Sequence, residues 1–310
     1  MLAGLSLLSR RHTLRAMMAS AVAASAAGCA KLIPQPVGEA LLPNPLTDPA
    51  VFNFALNLEY LEAEYYLRGV TGEGLPNEDI GPKPDGVIGG RQVRFTTPYV
   101  QEFMAEIAND EHNHVRYLRD HIKASPLIEL SRPAIDLEGS FRAAGQAAGL
   151  GGDFDPFADE RSFLLGAFLF EDVGVTAYNG AANLISDPQL LEAAAGILAV
   201  EAYHGGLIRT QIAETDEQTI AAADKIAAAR DTLDGVQRNE MGLSSGQGIT
   251  IAPSDQNGIA YARRPEQVLN IVYLKPGPYV EKGGFFPNGV RGVVHNTGVT
   301  RGERSPQTNK

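Results

Sequence analysis

Two Glu-x-x-His tetrads, Glu111-His112-Asn113-His114 and Glu201-Ala202-Tyr203-His204, constrain this chain more than any other feature. Each lies on an apolar stripe of helical period. Glu111 has Ile107, Ala108, Val115 and Leu118 as one-turn or two-turn neighbours, and Glu201 has Ile197, Leu198, Gly205 and Ile208. Residues three and four apart share a helix face, so each Glu and its His point the same way, into a core. Two more glutamates repeat the pattern. Glu59 is flanked by Phe52, Ala55, Leu56, Ala63 and Tyr66, and Glu171 by Leu164, Ala167, Phe168, Val175 and Tyr178.

Four carboxylates on apolar faces must be compensated, because a buried unpaired charge costs several kcal/mol even after relaxation. The same stripes carry only His114 and His204 as bases. Two divalent ions would supply the missing positive charge, and an oxygen-rich donor set with some nitrogen favours iron or manganese. A Glu from each of two helices plus a Glu-x-x-His from each of two others is the ligand set of a di-metal helical bundle. The expected metal residues are Glu59, Glu111, His114, Glu171, Glu201 and His204. Glu62, one turn after Glu59, is a fifth carboxylate or an alternative first-helix ligand. Glu59 is favoured because Tyr66 follows it at +7, as Tyr178 follows Glu171. Arg119 and Arg209 likewise follow His114 and His204 at +5, so the halves look like two copies of one helix pair. A bundle without metal, its carboxylates partly protonated, is the competing interpretation.

The helices are legible from their ends. Asp48-Pro49, Thr97-Pro98 and Asp187-Pro188 put a capping oxygen before a proline at the first helical position, and Asp159 is a fourth cap. Helices are expected at 49–71, 98–124, 160–186, 188–214 and 216–234, with Gly72, Pro126 and Gly235 as terminators. Short helices are expected around 138–148 and 265–273. The long link between the second and third core helices is a crossover. The core helices carry charges throughout and none reads as a membrane span. Residues 48–235 form the bundle and 236–310 an irregular C-terminal extension. Gly205-Gly206, directly after His204, is out of place in a helix, where each Gly costs about 1 kcal/mol relative to Ala. The pair opens space for a small substrate or permits close helix approach.

Residues 1–29 read as an export signal. Ser9-Arg10-Arg11-His12-Thr13-Leu14-Arg15 resembles a twin-arginine signal, and the uncharged run Ala16 to Gly28 is too short to span a bilayer. Cleavage before Cys29, which would carry a lipid anchor, competes with cleavage after Ala24-Ser25-Ala26. Residues 30–47, with four prolines, form a linker. The expected location is the periplasm or cell envelope. Cys29 is the only cysteine, which excludes an intramolecular disulfide framework and a thiolate zinc cluster. The net charge of −11 argues against nucleic acid as a partner.

The chain resembles the ferritin-like superfamily, in particular an exported branch similar to plant desiccation-related proteins. The resemblance rests on the tetrads and on the stretch from Asn53 to Tyr66 (NFALNLEYLEAEYY). It extends to Arg264 to Tyr273 (RPEQVLNIVY) and Gly283-Gly284-Phe285-Phe286-Pro287. It covers roughly residues 48–290. It implies an all-α, ferritin-like four-helix bundle with a long crossover, a fifth helix and an irregular C-terminal extension. It implies two divalent transition-metal ions, iron or manganese, bridged by Glu111 and Glu201. Glu59 and His114 would complete one metal position, Glu171 and His204 the other. The expected activity is handling of O₂ or H₂O₂, ferroxidase-like or catalase-like. The alternative is a non-enzymatic metal-binding or structural protein of the envelope. Expected partners are a small oxidant or a metal ion, and a second copy of the chain in a homo-oligomer.

Overall fold

A computed structural model describes residues 47–122, 128, 130–235, 240–244 and 248–298. The expected export signal, Cys29, nearly all of the proline-rich linker and Pro126 lie outside the described residues. Seven α-helices are present among those described: α1 (Asp48–Thr71), α2 (Pro98–His121), α3 (Gly139–Ala147), α4 (Glu160–Ala181), α5 (Pro188–Ala213), α6 (Glu217–Asp234) and α7 (Pro265–Val272). The fold is the expected all-α bundle. Helix α1 packs most extensively on α2 and α4 on α5, and contacts of α1 with α4 and α2 with α5 join the pairs. No described helix is long and apolar enough to cross a membrane.

Burial differs between the two members of each pair. Helices α2 and α5 bury single stripes, such as Val100, Met104, Ile107, Glu111, His114 and Leu118 on α2. Helices α1 and α4 are buried nearly all round. Their outer faces are covered by the two long connections and by the extension. The crossover returns as β2 (Ile135–Asp136), which pairs in parallel with β1 (Val87–Ile88) of the first link. Phe285 of the extension packs between Phe141 of α3 and Phe170 of α4, with ring centroids 5.0 Å away in each case. Arg291 and Asn57 of α1 exchange hydrogen bonds of 2.8 and 3.0 Å.

The caps are partly as expected. Asp159 accepts from Ser162 N at 2.8 Å, and Asp187 from Gln189 N at 2.8 Å and Leu190 N at 3.2 Å. Asp48 is not a cap: the helix begins at Asp48 itself, after Thr47. Its carboxylate accepts from Ser186 N at 2.9 Å and Asp187 N at 2.8 Å, joining the start of α1 to the start of α5. Helix α4 ends at Ala181 and tightens into a 3₁₀ turn, Ala182–Leu184, short of the expected 186. Thr97 occupies a cap position without a side-chain cap bond, and its hydroxyl donates to Glu160 at 2.7 Å. Helix α2 stops at His121, before the expected 124, where Ile122 turns extended and buries its side chain. Gly72 closes α1 at φ 86°, in the left-handed region that favours glycine.

Candidate metal centre

The four long helices bring all six residues singled out by spacing into one buried cluster. Glu59, Glu111, Glu171 and Glu201 are each 0% exposed. Donor atoms of Glu59, Glu111, His114 and Glu201 fall within 4.8 Å of one another, and so do those of Glu111, Glu171 and His204. His114 Nδ1 stands 3.2 Å from Glu59, 3.5 Å from Glu111 and 3.6 Å from Glu201. His204 Nδ1 stands 3.1 Å from Glu111 and 3.4 Å from Glu171. The two imidazole rings are 6.4 Å apart between centroids. Glu111 thus belongs to both groups, with one histidine on each side of it.

The donor atoms converge without satisfying one another. Both oxygens of Glu111, both of Glu201, Glu171 Oε2 and His204 Nδ1 are buried without a hydrogen-bond partner. His204 Nδ1 and Glu111 Oε1 approach closely, but not in hydrogen-bonding geometry. Buried polar atoms are nearly always paired. This many orphans, all lone-pair donors of the types that ligate iron or manganese and all facing one space, fit a pair of cations.

Electrostatics point the same way. Burial, opposed by the His114 charge and reinforced by Glu111, pushes Glu59 up to about 7. Burial and then the neighbouring carboxylates hold Glu62 and Glu201 well above the ordinary carboxylate range. Glu171 is raised by burial, partly offset by His204. Burial opposes charge on the histidines, yet Glu59 beside His114 and Glu171 beside His204, each with Glu111, push both up to about 12. Glu111 is the exception: burial disfavours its charge, but His114 and His204 hold it far below the usual range.

Glu59, not Glu62, stands in the His114 group. Glu62 is also buried. A Cβ on Gly174 would lie 3.4 Å from Glu62 Oε1 and would run into the Glu201 carboxylate. Glu62 and Glu201 therefore share a space that only glycine leaves open.

The side chains behind the cluster were less legible. From the sequence, Tyr66 and Tyr178 are either donors to ligands or, more simply, core aromatics. The Tyr66 hydroxyl donates to Glu171 and the Tyr178 hydroxyl to Glu59, each crossing to the opposite helix. This crossing repeats the two-copy relation in three dimensions. Asp110, on the polar face of α2, reaches His204 Nε2 at 3.3 Å and fixes its ring from behind. His112 binds Asp79 at 2.7 Å, away from the cluster. Glu64, whose i,i+4 spacing to Arg68 suits a solvated ion pair, is instead 0% exposed and also holds the Arg132 guanidinium. His121 stacks on Tyr117, and His295 bonds only a backbone carbonyl.

A second buried charge cluster has no counterpart in the sequence-based expectations. Asp172, next to Glu171, takes Arg209 in a fork of 2.9 and 2.8 Å and Arg230 at 2.6 Å. Glu240 binds Arg230 at 2.7 Å and Arg263 at 2.8 Å, and Arg263 reaches Asp234 at 2.7 Å. The Arg209 and Arg230 guanidinium groups both lie over the Phe168 ring, 4.9 and 4.5 Å from its centroid. The network fastens the extension to α4, α5 and α6 beside the carboxylate cluster. Two consecutive acids inside Phe168-Leu169-Phe170-Glu171-Asp172-Val173 were the available signal, since an acid on an all-round apolar helix needs a buried partner.

Comparison with known proteins agrees with this geometry. A family model for the ferritin-like domain matches residues 47–214, more than half of the chain. The desiccation-related protein PCC13-62 of Craterostigma plantagineum is 29% identical over 262 residues, spanning 76% of this chain and 81% of that protein. The ferritin-like catalase Nec2 of Nesocodon mauritianus is 28% identical over 271 residues, spanning 80% of this chain and 84% of that protein. No solved structure matches.

Proposed function

Because the chain belongs to the ferritin-like domain family, we propose that it is an exported di-metal protein acting on a small oxidant, O₂ or H₂O₂. The observation that carries this reading is the buried set of unpartnered carboxylate oxygens and imidazole nitrogen contributed by α2, α4 and α5, with Glu59 of α1 grouped beside them. Glu59 and His114 would hold one ion of iron or manganese, Glu171 and His204 the other, with Glu111 and Glu201 between them. Two redox-active ions side by side supply the electron pair that reduction of a peroxide bond requires. The chain's own residues prepare that site. Tyr66 and Tyr178 orient the outer carboxylates, and Asp110 orients His204. The named activity of the Nesocodon relative supports a catalase-like reaction.

Protein loaded with manganese or iron should hold close to two ions per chain and evolve gas from peroxide. Glu171→Ala removes a ligand of one position only, so its metal content should fall toward one ion per chain, read by elemental analysis. A folded wild-type protein purified metal-free from its native source would overturn the reading. The name of the Craterostigma relative supports a second reading, a non-enzymatic desiccation-protective protein in which the ions contribute folding energy. Two bound ions with neither peroxide turnover nor ferrous oxidation would favour it.

Export rests on the paired arginines. Arg10→Lys with Arg11→Lys should leave the protein in the cytoplasm, seen by fractionation, and normal export of that double variant would exclude the twin-arginine route. Cys29→Ala should release the protein from the membrane fraction if Cys29 is the lipid anchor.

A further inference from the structure

Gly205 and Gly206 sit in the middle of α5, immediately after His204. Neither has a positive φ, so backbone conformation does not require glycine. Close packing does not require it either. A Cβ on Gly205 would meet nothing nearer than Asp172 Oδ1 at 3.7 Å, followed by Glu171 Cβ and Val175 Cγ2 at 3.9 Å. A Cβ on Gly206 would meet only Ile251 Cγ2, at 3.9 Å. These are ordinary contact distances, unlike Gly174 and Gly180, where a methyl group would collide with Glu201 and with the backbone of Arg263. Helix approach is thus excluded as the reason for the pair. What the two glycines produce is space.

That space is a cavity of about 240 Å³ between α4, α5 and the extension. Val175, Ile251, Pro253 and Tyr261 contribute to its walls, and its surface is mostly apolar. Among the described residues, Asp172 and Glu240 are the only charged ones lining it. Both are already neutralised from behind, Asp172 by Arg209 and Arg230, Glu240 by Arg230 and Arg263. A charged guest would gain no free counter-ion there and would lose its hydration. An uncharged apolar guest would displace water from apolar walls, which is favourable. Gly205, which lines the cavity, faces the stretch of α4 that carries Glu171 and Asp172.

The geometry points to a binding site for one small, uncharged, mostly apolar organic molecule of about the size of phenol, seated against the helix turn that carries His204. This deepens the metal-centre reading by giving the class of molecule that binds next to the helix turn carrying His204, and it rests on that reading only for its catalytic meaning. Binding itself needs no metal, so the two can fail separately.

The test is calorimetric titration of the full-length protein, metal-free and metal-loaded, with phenol and with benzoate. Phenol should bind at one saturable site in both forms, and benzoate at least tenfold more weakly. Gly206→Leu, which fills the cavity from α5, should weaken phenol binding at least tenfold while leaving metal content unchanged. Ile251→Trp fills it from the extension and should do the same, giving the readout if Gly206→Leu does not fold. Absence of saturable phenol binding to wild type, equal binding of phenol and benzoate, or undiminished binding in the folded variants would overturn the site.

Discussion

Asp172→Ala should destabilise the protein by about 3–5 kcal/mol, the range seen when one partner of a buried ion pair is removed. The reason is the charge left behind. Arg209 and Arg230 are at most 1% exposed, and Asp172 is the anion that both of them contact. With Asp172 gone, Glu240 is the only acid near both guanidinium groups among the described residues, and it is already engaged by Arg263. Neither arginine can reach water without opening the extension, because Arg209 also donates to Met241 O at 2.8 Å and Thr250 O at 2.9 Å. The loss should appear as a lower urea midpoint and as faster amide exchange across the extension. Combining Asp172→Ala with Arg209→Met should cost less than the two singly, since the pair then leaves one guanidinium unmatched in place of two. A loss below about 1 kcal/mol in Asp172→Ala would show that the network does not hold the extension.

The same residues explain what could be seen in the sequence and what could not. Asp159 and Asp187 were legible as caps because a cap is a local device, completed within three residues. Asp48 had the same local signature, but its carboxylate is claimed by backbone 138 and 139 residues away. The tetrads were legible because helical periodicity alone puts Glu111 beside His114 and Glu201 beside His204. Periodicity also marked Tyr66 and Tyr178, yet not their role. Their hydroxyls bond carboxylates 105 and 119 residues distant, on the opposite helix, and only the crossing of α1 with α4 makes that possible. The arginine network was invisible for the same reason. Arg263 reaches Asp234 and Glu240 from an irregular segment without a repeat, and no spacing rule connects that segment to α4. Glu62 stayed ambiguous at one turn from Glu59, until the opening at Gly174 placed its carboxylate near Glu201.

Stripped of metal, the protein should become less stable as pH rises from about 5 to 8, and metal should reverse that trend in the acid half of the range. Glu59 has its folded pKa raised from 4.5 to about 7, so between those values the folded chain holds a proton that the unfolded chain has released. Its contribution is complete at low pH and is lost as pH rises through 7, a change of about 3 kcal/mol at 1.36 kcal/mol per pKa unit. Glu62, Glu171 and Glu201 are raised as well and act in the same direction. His114 and His204, raised from 6.5 to about 12, prolong the decline on the alkaline side. Glu111 is lowered, so its contribution is present above 4.5 and is lost only in stronger acid, outside this window. Glu201→Gln removes a carboxylate that resists ionisation, so the metal-free variant should gain about 1 kcal/mol or more at pH 8 and show a shallower slope. In the loaded protein the ligands are deprotonated by their ions, and acid competes for them, so its stability should fall toward pH 5. Thermal midpoints against pH for the metal-free, loaded and Glu201→Gln proteins measure all three slopes. Parallel curves for loaded and metal-free protein, with no alkaline gain in the variant, would mean that these carboxylates do not form a buried cation site.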